Sequence, residues 1–232
     1  FAIRIDVVMD IYQQLRDKGS VTRGWLGVLI QDVTSELAES FGMNKPRGAL
    51  VSKVLDDSPA GKGGLETGDV IVRFNGKAVD QSSDLPPMVG ATRVGEKIPV
   101  EVIRGGKDRT LSVEIGALPE EEGAELAAGG DAPGKSRVDA RLGIAVTNLD
   151  DAARKRLEVE QGGVLIEDLE DGPARQAGLR VGDVILQIDN IAVTSTKQFR
   201  EVVAGLAPAR TVPVLIQRQG GPMFLALKTP TE

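Results

Sequence analysis

The sequence contains neither cysteine nor histidine. Without cysteine it cannot form a disulfide, a thiolate metal site or a cysteine nucleophile. Without histidine it cannot build a Ser-His-Asp triad, a histidine metal cluster or an imidazole acid or base. Paired carboxylates could still supply acid-base chemistry, but the acidic runs fall in turns or in a linker, which favours solvated surface. We therefore predict no catalytic residue, no metal site and no cofactor site in this chain.

Aromatic residues make up only 3% of the chain, and its formal net charge is −6. A nucleic-acid-binding surface needs clustered basic side chains and often rings on which bases stack, so we expect no nucleic acid partner. No apolar run approaches the length of a transmembrane helix, so we expect no membrane span.

The chain does contain an internal repeat. Residues 25–28 (Trp-Leu-Gly-Val) correspond to 141–144 (Arg-Leu-Gly-Ile), and the Gly-Asp-Val-Ile sequence of 68–71 recurs at 182–185. We interpret the Gly-Asp-Val-Ile motif as structural, because a glycine turn, a short acceptor and an apolar strand need no ligand. Each copy is long enough to bury its own core, which predicts two complete domains.

Short apolar runs separated by turn signals predict a mostly β fold with short helices, of the α+β class. Apolar residues alternate over 26–30 in the first copy and again over 142–146 in the second. Further β-like runs in the first copy span 49–51, 70–72 and 98–103.

The second copy carries the clearest helix pattern, over 196–206, with Thr194 or Ser195 as its N-cap. Its apolar face consists of Phe199, Val202, Val203 and Leu206. The corresponding helix of the first copy, near 83–90, contains Pro86-Pro87. Proline is tolerated only in the first helical turn, so this helix must start late or be short.

A further helix is predicted within residues 1–20, where Asp6 can cap the apolar positions Val7, Val8, Ile11 and Leu15. A lone helix of this length is marginal in water, and its apolar face needs a partner. That partner is either a preceding domain outside this sequence or the first repeat.

Residues 119–138 are rich in Glu, Ala, Gly and Pro and are predicted to form a linker. Within it, residues 129–136 match the phosphate-loop pattern G-x-x-x-x-G-K-S. A phosphate loop needs a buried strand before it and a helix after it, and neither is predicted here. Nucleotide hydrolysis through this motif is therefore a third hypothesis that we do not favour; it would require nucleotide affinity that is lost in Lys135→Ala.

The recurring chemical feature is a small glycine-containing loop before an alternating apolar strand. Such a loop can point backbone N–H groups at a peptide carboxylate, while the strand accepts an extended peptide and the facing helix closes an apolar slot. The alternative is that these apolar residues form ordinary core. The candidate peptide-binding residues are Arg23, Trp25, Leu26, Gly27, Val28, Leu29, Ile30, Met88 and Val89 in the first copy, and Arg141, Leu142, Gly143, Ile144, Ala145, Val146, Phe199 and Val203 in the second.

These landmarks together resemble two PDZ domains of the bacterial, circularly permuted type in tandem. More closely, the chain resembles the C-terminal part of HtrA-type (DegP/MucD-like) periplasmic serine proteases. The resemblance rests on Phe1-Ala2-Ile3 and the helix after it, on residues 23–28, and on the two Gly-Asp-Val-Ile segments. It implies that 1–20 end a protease domain, 21–118 form the first PDZ domain, 119–138 a linker and 139–232 the second PDZ domain.

The resemblance also implies a role in protein quality control and the stress response of the periplasm. The module would capture C-termini or unfolded segments of envelope proteins and relay occupancy to its protease domain, and the parent endopeptidase would form a homo-oligomer through that missing domain. In the second copy Arg141 replaces Trp25, so the two loops need not share ligands. The alternative is an assembly module whose grooves contact neighbouring subunits or its own chain. The glycine loop predicts that Gly27→Val abolishes binding at the first site while leaving the domain folded or only moderately destabilised.

Overall fold

A computed structural model describes residues 23–118, 138–139, 141–159 and 161–231. The predicted helix within 1–20 and the phosphate-loop pattern at 129–136 lie outside the described residues. None of the helices in the part of the chain that is described is long and apolar enough to cross a membrane.

By their contacts the described residues form two compact units. The first unit comprises 23–33 and 47–118, and the second comprises 34–46 together with the described residues from 138 onward. Both units are built mainly of antiparallel strands with short helices, so the predicted fold class is confirmed.

The first unit has its elements in the order β1 (Gly24–Trp25), β2 (Val28–Asp32), β3 (Ala49–Val54), α2 (Pro59–Lys62), β4 (Val70–Phe74), β5 (Lys77–Ala78), a 3₁₀ turn (Ser82–Asp84), α3 (Leu85–Gly90), β6 (Lys97–Arg104), β7 (Lys107–Glu114) and β8 (Gly116–Ala117). The main sheet has the strand order β2-β3-β4-β6-β7, with β5 paired to β4, while β1 pairs with β8.

The second unit contains α1 (Ser35–Ser40), β9 (Val138–Asp139), β10 (Ile144–Asn148), α4 (Asp151–Arg156), β11 (Val164–Leu169), α5 (Pro173–Gln176), β12 (Val184–Ile188), β13 (Ile191–Ala192), α6 (Thr196–Gly205), β14 (Thr211–Arg218) and β15 (Gly221–Lys228). Its sheet has the order β15-β14-β12-β11-β10-β9, with β13 paired to β12.

Strand register is the same in the two copies down to the irregularities. The β2–β3 pair has a bulge between Leu29 and Ile30, and the β10–β11 pair has one between the corresponding residues Ala145 and Val146. A bulge re-aims the side chains that follow it and increases local twist. The repeat therefore extends from sequence landmarks to backbone geometry next to the candidate site.

The helix predictions are confirmed where the local signals were strong. Helix α6 spans Thr196–Gly205, and the Ser195 hydroxyl caps it by accepting the N–H of Gln198. Helix α3 is only six residues long and carries Pro86 and Pro87 in its first turn, the part of a helix that tolerates proline.

Segment 34–46 belongs by its contacts to the second unit, although it follows the first candidate groove in sequence. Thr34 caps α1 by accepting the N–H of Leu37 at 3.3 Å, and α1 packs against β14 and β15. Just after the helix, the rings of Phe41 and Phe224 meet edge to face with centroids 5.4 Å apart. The domain boundaries 21–118 and 139–232 stay predictions.

The Gly-Asp-Val-Ile motif is structural in both copies because its aspartate is buried and paired. Arg104 donates from Nε and Nη2 to the two carboxylate oxygens of Asp69 at 2.6 and 2.7 Å. Arg218 does the same to Asp183 at 2.7 Å for both bonds. The two aspartate side chains are 0% and 2% exposed. Each bidentate guanidinium satisfies a buried carboxylate. The hydrogen bonds to that carboxylate raise the pKa of the arginine above its usual value.

Candidate peptide-binding grooves

Strand β2 is the outer strand of the first unit's main sheet. Among the described residues it pairs only with β3, from Val28 opposite Val54 to Asp32 opposite Ala49. A sheet edge carries backbone N–H and C=O groups that can pair with another extended chain. This edge is therefore the place where a peptide can add as a strand.

The loop that precedes β2 is tightly packed beneath its backbone. Gly27 has a φ of 78°, in the left-handed region that favours glycine. A Cβ at this position would lie 2.3 Å from the Cβ of Ser58 and 3.0 Å from the Trp25 ring. The Leu26 carbonyl accepts the N–H of Ala60 at 2.9 Å. Glycine is required here both by the backbone conformation and by the close approach of Ser58.

The candidate residues of the first copy take three positions. Val28, Ile30 and Met88 are half-buried and pack on the edge of the core, whereas Leu26 and Val89 lie within that core. The remaining apolar residue of β2, Leu29, is 43% exposed and does not belong to this cluster. The arrangement leaves Val28, Ile30 and Met88 as the apolar surface that a side chain of an added peptide can reach.

The charged and aromatic candidates lie around the loop. Arg23 is exposed, and its backbone carbonyl accepts the N–H of Leu118. Trp25 is half-buried against the loop glycine. A cavity of about 320 Å³ touches Met88 on α3, but no residue of β2 lines it, so it is separate from the candidate groove.

A hydrogen bond that the sequence did not predict joins the far end of β2 to the helix segment. The Asp32 carboxylate accepts the backbone N–H of Ser82 at 2.9 Å, and in the second copy Asn148 accepts that of Thr196 at 2.8 Å. We call this pair of contacts the groove latch. The N–H of Ser82, with a further hydrogen bond from its hydroxyl, lowers the pKa of Asp32. Only alignment of the two copies could have indicated the latch, because its partners are far apart in sequence.

The second copy places the corresponding apolar residues inside its core. Ala145 is 5% exposed. The other apolar candidates, in the loop and on β10 and α6, are 0% to 3% exposed: Leu142, Ile144, Val146, Phe199 and Val203. These five belong to one cluster together with Val202 and Leu206, the counterparts of Met88 and Thr92. No apolar slot like that of the first copy is open between β10 and α6.

The loop of the second copy also differs. Gly143 has a φ of 70°, but a Cβ there would lie at an ordinary 3.4 Å from the nearest atom, in Glu170. Arg141 donates from Nη1 to the carbonyl oxygens of Val203 and Ala204 at 3.2 and 3.3 Å. Its guanidinium thus binds the last turn of α6, where carbonyls lack the usual helical donor four residues on; the Val203 carbonyl also accepts the N–H of Leu206.

Among the described residues, no group of three or more carboxylates lies close enough to hold a metal ion. The described buried side chains also have no polar atom without a hydrogen-bond partner. What the first site offers chemically is a backbone edge, a glycine loop and an apolar strip. These features suit binding of an extended chain.

Comparison with known protein families matches the PDZ domain at residues 16–115 and again at 140–229. The chain belongs to the PDZ domain family. The two matches confirm the predicted tandem of PDZ domains.

Relatives of this PDZ pair are named as proteases. The "Probable periplasmic serine endoprotease DegP-like" of Pseudomonas fulva is 47% identical over 228 residues, covering 98% of this chain and 47% of that protein. The protein of the same name from Hahella chejuensis is 47% identical over 230 residues, covering 98% of this chain and 48% of that protein. The chain spans about half the length of these relatives. The resemblance to HtrA-type, DegP-like proteases is thereby confirmed.

A solved structure described as "HtrA-type protease AlgW with decapeptide" is also similar. It is 37% identical with a TM-score of 0.45, over 52% of this chain and 37% of that chain.

Proposed function

We propose that this chain is the substrate-recognition module of a periplasmic serine endoprotease that acts on misfolded envelope proteins. Its first PDZ domain binds C-termini or extended segments of those proteins by strand addition to β2. The observation that carries the proposal is the outer edge of β2, which has no strand partner among the described residues, beside a half-buried apolar strip formed by Val28, Ile30 and Met88. The names of the relatives support the protease assignment.

The expected binding is weak. Burial of one apolar terminal side chain contributes about 1.5 to 3 kcal/mol, and each strand hydrogen bond adds roughly 1 kcal/mol. Ordering the peptide offsets part of this gain, so a dissociation constant in the micromolar range or weaker follows. Tight capture of an unfolded protein then needs several grooves on one oligomer, assembled through the protease domain.

Through the groove latch, peptide binding at this site can affect the rest of the first domain. A peptide that pairs with β2 and contacts Met88 touches the strand that carries Asp32 and the helix α3, which directly follows the 3₁₀ turn that carries Ser82. We propose that the resulting change in β2 and α3 is passed to the protease domain.

The second candidate function is a structural or assembly module whose grooves contact neighbouring subunits or its own chain. The buried lining of β10 in the second domain favours this reading for that domain. The first domain, with its half-buried strip, favours peptide capture.

The deciding experiment is a titration of this chain with an apolar-ended peptide and its C-terminally amidated twin. Trp25, the only tryptophan, reports binding beside the loop, and calorimetry gives affinity and stoichiometry. Met88→Gln should weaken binding at least tenfold, whereas Leu29→Gln, on the exposed side of β2, should change it less than twofold. Equal binding of both peptides would exclude carboxylate capture, and no binding of either would favour the assembly module.

A further inference from the structure

The outer edge of the second groove strand is paired with the chain itself. Strand β9 runs antiparallel to β10, with Asp139 opposite Ile144 and Val138 opposite Ala145. The other edge of β10 pairs with β11, so both edges are engaged over these residues. In the first domain the corresponding strand, β2, has a partner on one side only among the described residues.

Strand β9 also has the direction that a bound peptide would have. It leads into the glycine loop at Gly143 and turns back into β10, so its C-terminal end lies next to the loop. A peptide whose carboxylate is held by that loop must likewise run antiparallel to β10 and end there. Each backbone N–H and C=O on the edge serves one strand partner, so β9 and a peptide compete for the same groups.

We infer that the second PDZ domain is self-occupied: residues 138–139 fill the ligand edge of β10, and a peptide binds there only after β9 is displaced. Two further observations agree with this. The side chains that would form the apolar slot are all buried, and Arg141 ties the loop to the last turn of α6 through the Val203 and Ala204 carbonyls. The inference deepens the proposed function, on which it rests, by assigning peptide binding to the first domain alone.

The intramolecular partner has a large advantage over a free peptide. A segment tethered through a few residues acts at an effective concentration of the order of millimolar. A peptide with micromolar or weaker intrinsic affinity must compete with this tethered strand and also separate α6 from β10. At ordinary peptide concentrations the chain should therefore bind one peptide, not two.

Amide hydrogen exchange, measured for each residue by NMR on the whole chain, tests whether β9 occupies the second groove without any added peptide. Of Ile144 and Ala145, the residue whose N–H points towards β9 should exchange at least tenfold more slowly than its counterpart, Val28 or Leu29, in the first domain. Replacing both Val138 and Asp139 by proline removes the N–H donors of β9 and should accelerate the β10 amide at least tenfold while leaving β2 unchanged. The double alanine variant keeps the N–H donors and should behave as the unaltered chain.

Peptide addition then separates this inference from the proposed function. Protection of β2 alone, with one peptide bound per chain, is expected. Protection of β10 amides by peptide in the unaltered chain, or β10 exchange that is unaffected by the proline pair, would overturn the self-occupied groove. If peptide protects neither strand but the proline pair accelerates β10 exchange, the first-domain proposal fails and the closure stands.

Discussion

The loop glycines of the two domains should differ sharply in their tolerance of alanine. Gly27 and Gly143 occupy equivalent positions and share a positive φ, at 78° and 70°. A methyl group at position 27 would lie 2.3 Å from the buried Ser58, while one at position 143 would meet Glu170 at 3.4 Å. Both substitutions strain the backbone, but only the first also requires the structure around it to move.

The magnitudes follow from these two contributions. Holding an alanine in the left-handed region costs about 1 to 2 kcal/mol. Forcing an extra carbon into a packed site costs typically about 1 to 3 kcal/mol more. We therefore expect Gly143→Ala to lower the free energy of unfolding of the second domain by about 1 to 2 kcal/mol, from the strain alone. Gly27→Ala should lower that of the first domain by roughly 2 to 5 kcal/mol, the sum of both contributions.

Urea unfolding measures both effects separately. Trp25 lies in the first unit and is the only tryptophan, so its fluorescence follows the unfolding of the first domain. Far-UV circular dichroism follows both domains, and the difference reports the second. A cost for Gly27→Ala no larger than that for Gly143→Ala would refute the steric argument. The same geometry makes Gly27→Val a poor test of binding, since loss of the fold would accompany loss of the peptide.

Two other perturbations follow from the repeated polar contacts. Arg104→Met leaves the Asp69 carboxylate buried without its bidentate partner. We expect the free energy of unfolding of the first domain to fall by about 3 kcal/mol, near the low end for breaking a buried pair because Arg104 is 19% exposed. A loss below about 1 kcal/mol in unfolding followed by Trp25 fluorescence would contradict this. The second perturbation is the titration of Asp32 in the groove latch, whose pKa is lowered. Its contact with Ser82 stabilises the first domain fully at a pH above the ordinary aspartate pKa of about 3.9, and this stabilisation is lost as the pH falls through the lowered pKa. The amide proton shift of Ser82 should report that titration, Asp32→Asn should abolish it while keeping the contact, and a midpoint above the ordinary value would rule out the assigned hydrogen bond.

The parts of the fold that the sequence predicted are those encoded by neighbouring residues. Helix α6 shows an apolar face at the expected spacing and an N-cap at Ser195, and α3 was expected to be short because of its two prolines. These signals act over one or two helical turns, so a single sequence contains them. The order of strands in the second copy followed from the repeat.

The polar contacts that fix the groove could not be predicted in the same way. Asp32 and Ser82 are 50 residues apart, and Arg104 and Asp69 are 35 apart, so no local pattern connects them. The signal that does exist is their recurrence: Arg218 with Asp183 repeats the second pair at corresponding positions. The packing of segment 34–46 with the second unit was also beyond local reasoning.

Groove exposure, too, depends on side-chain volume across the whole slot and not on the motif before the strand. Both copies keep the glycine loop, the latch, the strand bulge and the buried arginine–aspartate pair. Where the first copy has Leu85, Met88 and Thr92 in its helix and just after it, the second has Phe199, Val202 and Leu206, and α6 is longer than α3.

Phe199 and Leu206 are larger than their counterparts Leu85 and Thr92. The first four residues of β10 are buried in the second copy, and β9 pairs with the strand edge at Ile144 and Ala145. Two domains with the same strand register can therefore bind a peptide in one copy and exclude it in the other. It follows that opening the second groove requires two changes together. Loss of β9 frees the backbone edge, but the half-buried strip that the first domain presents would also require that domain's side chains at the end of α6, introduced by Val202→Met and Leu206→Thr.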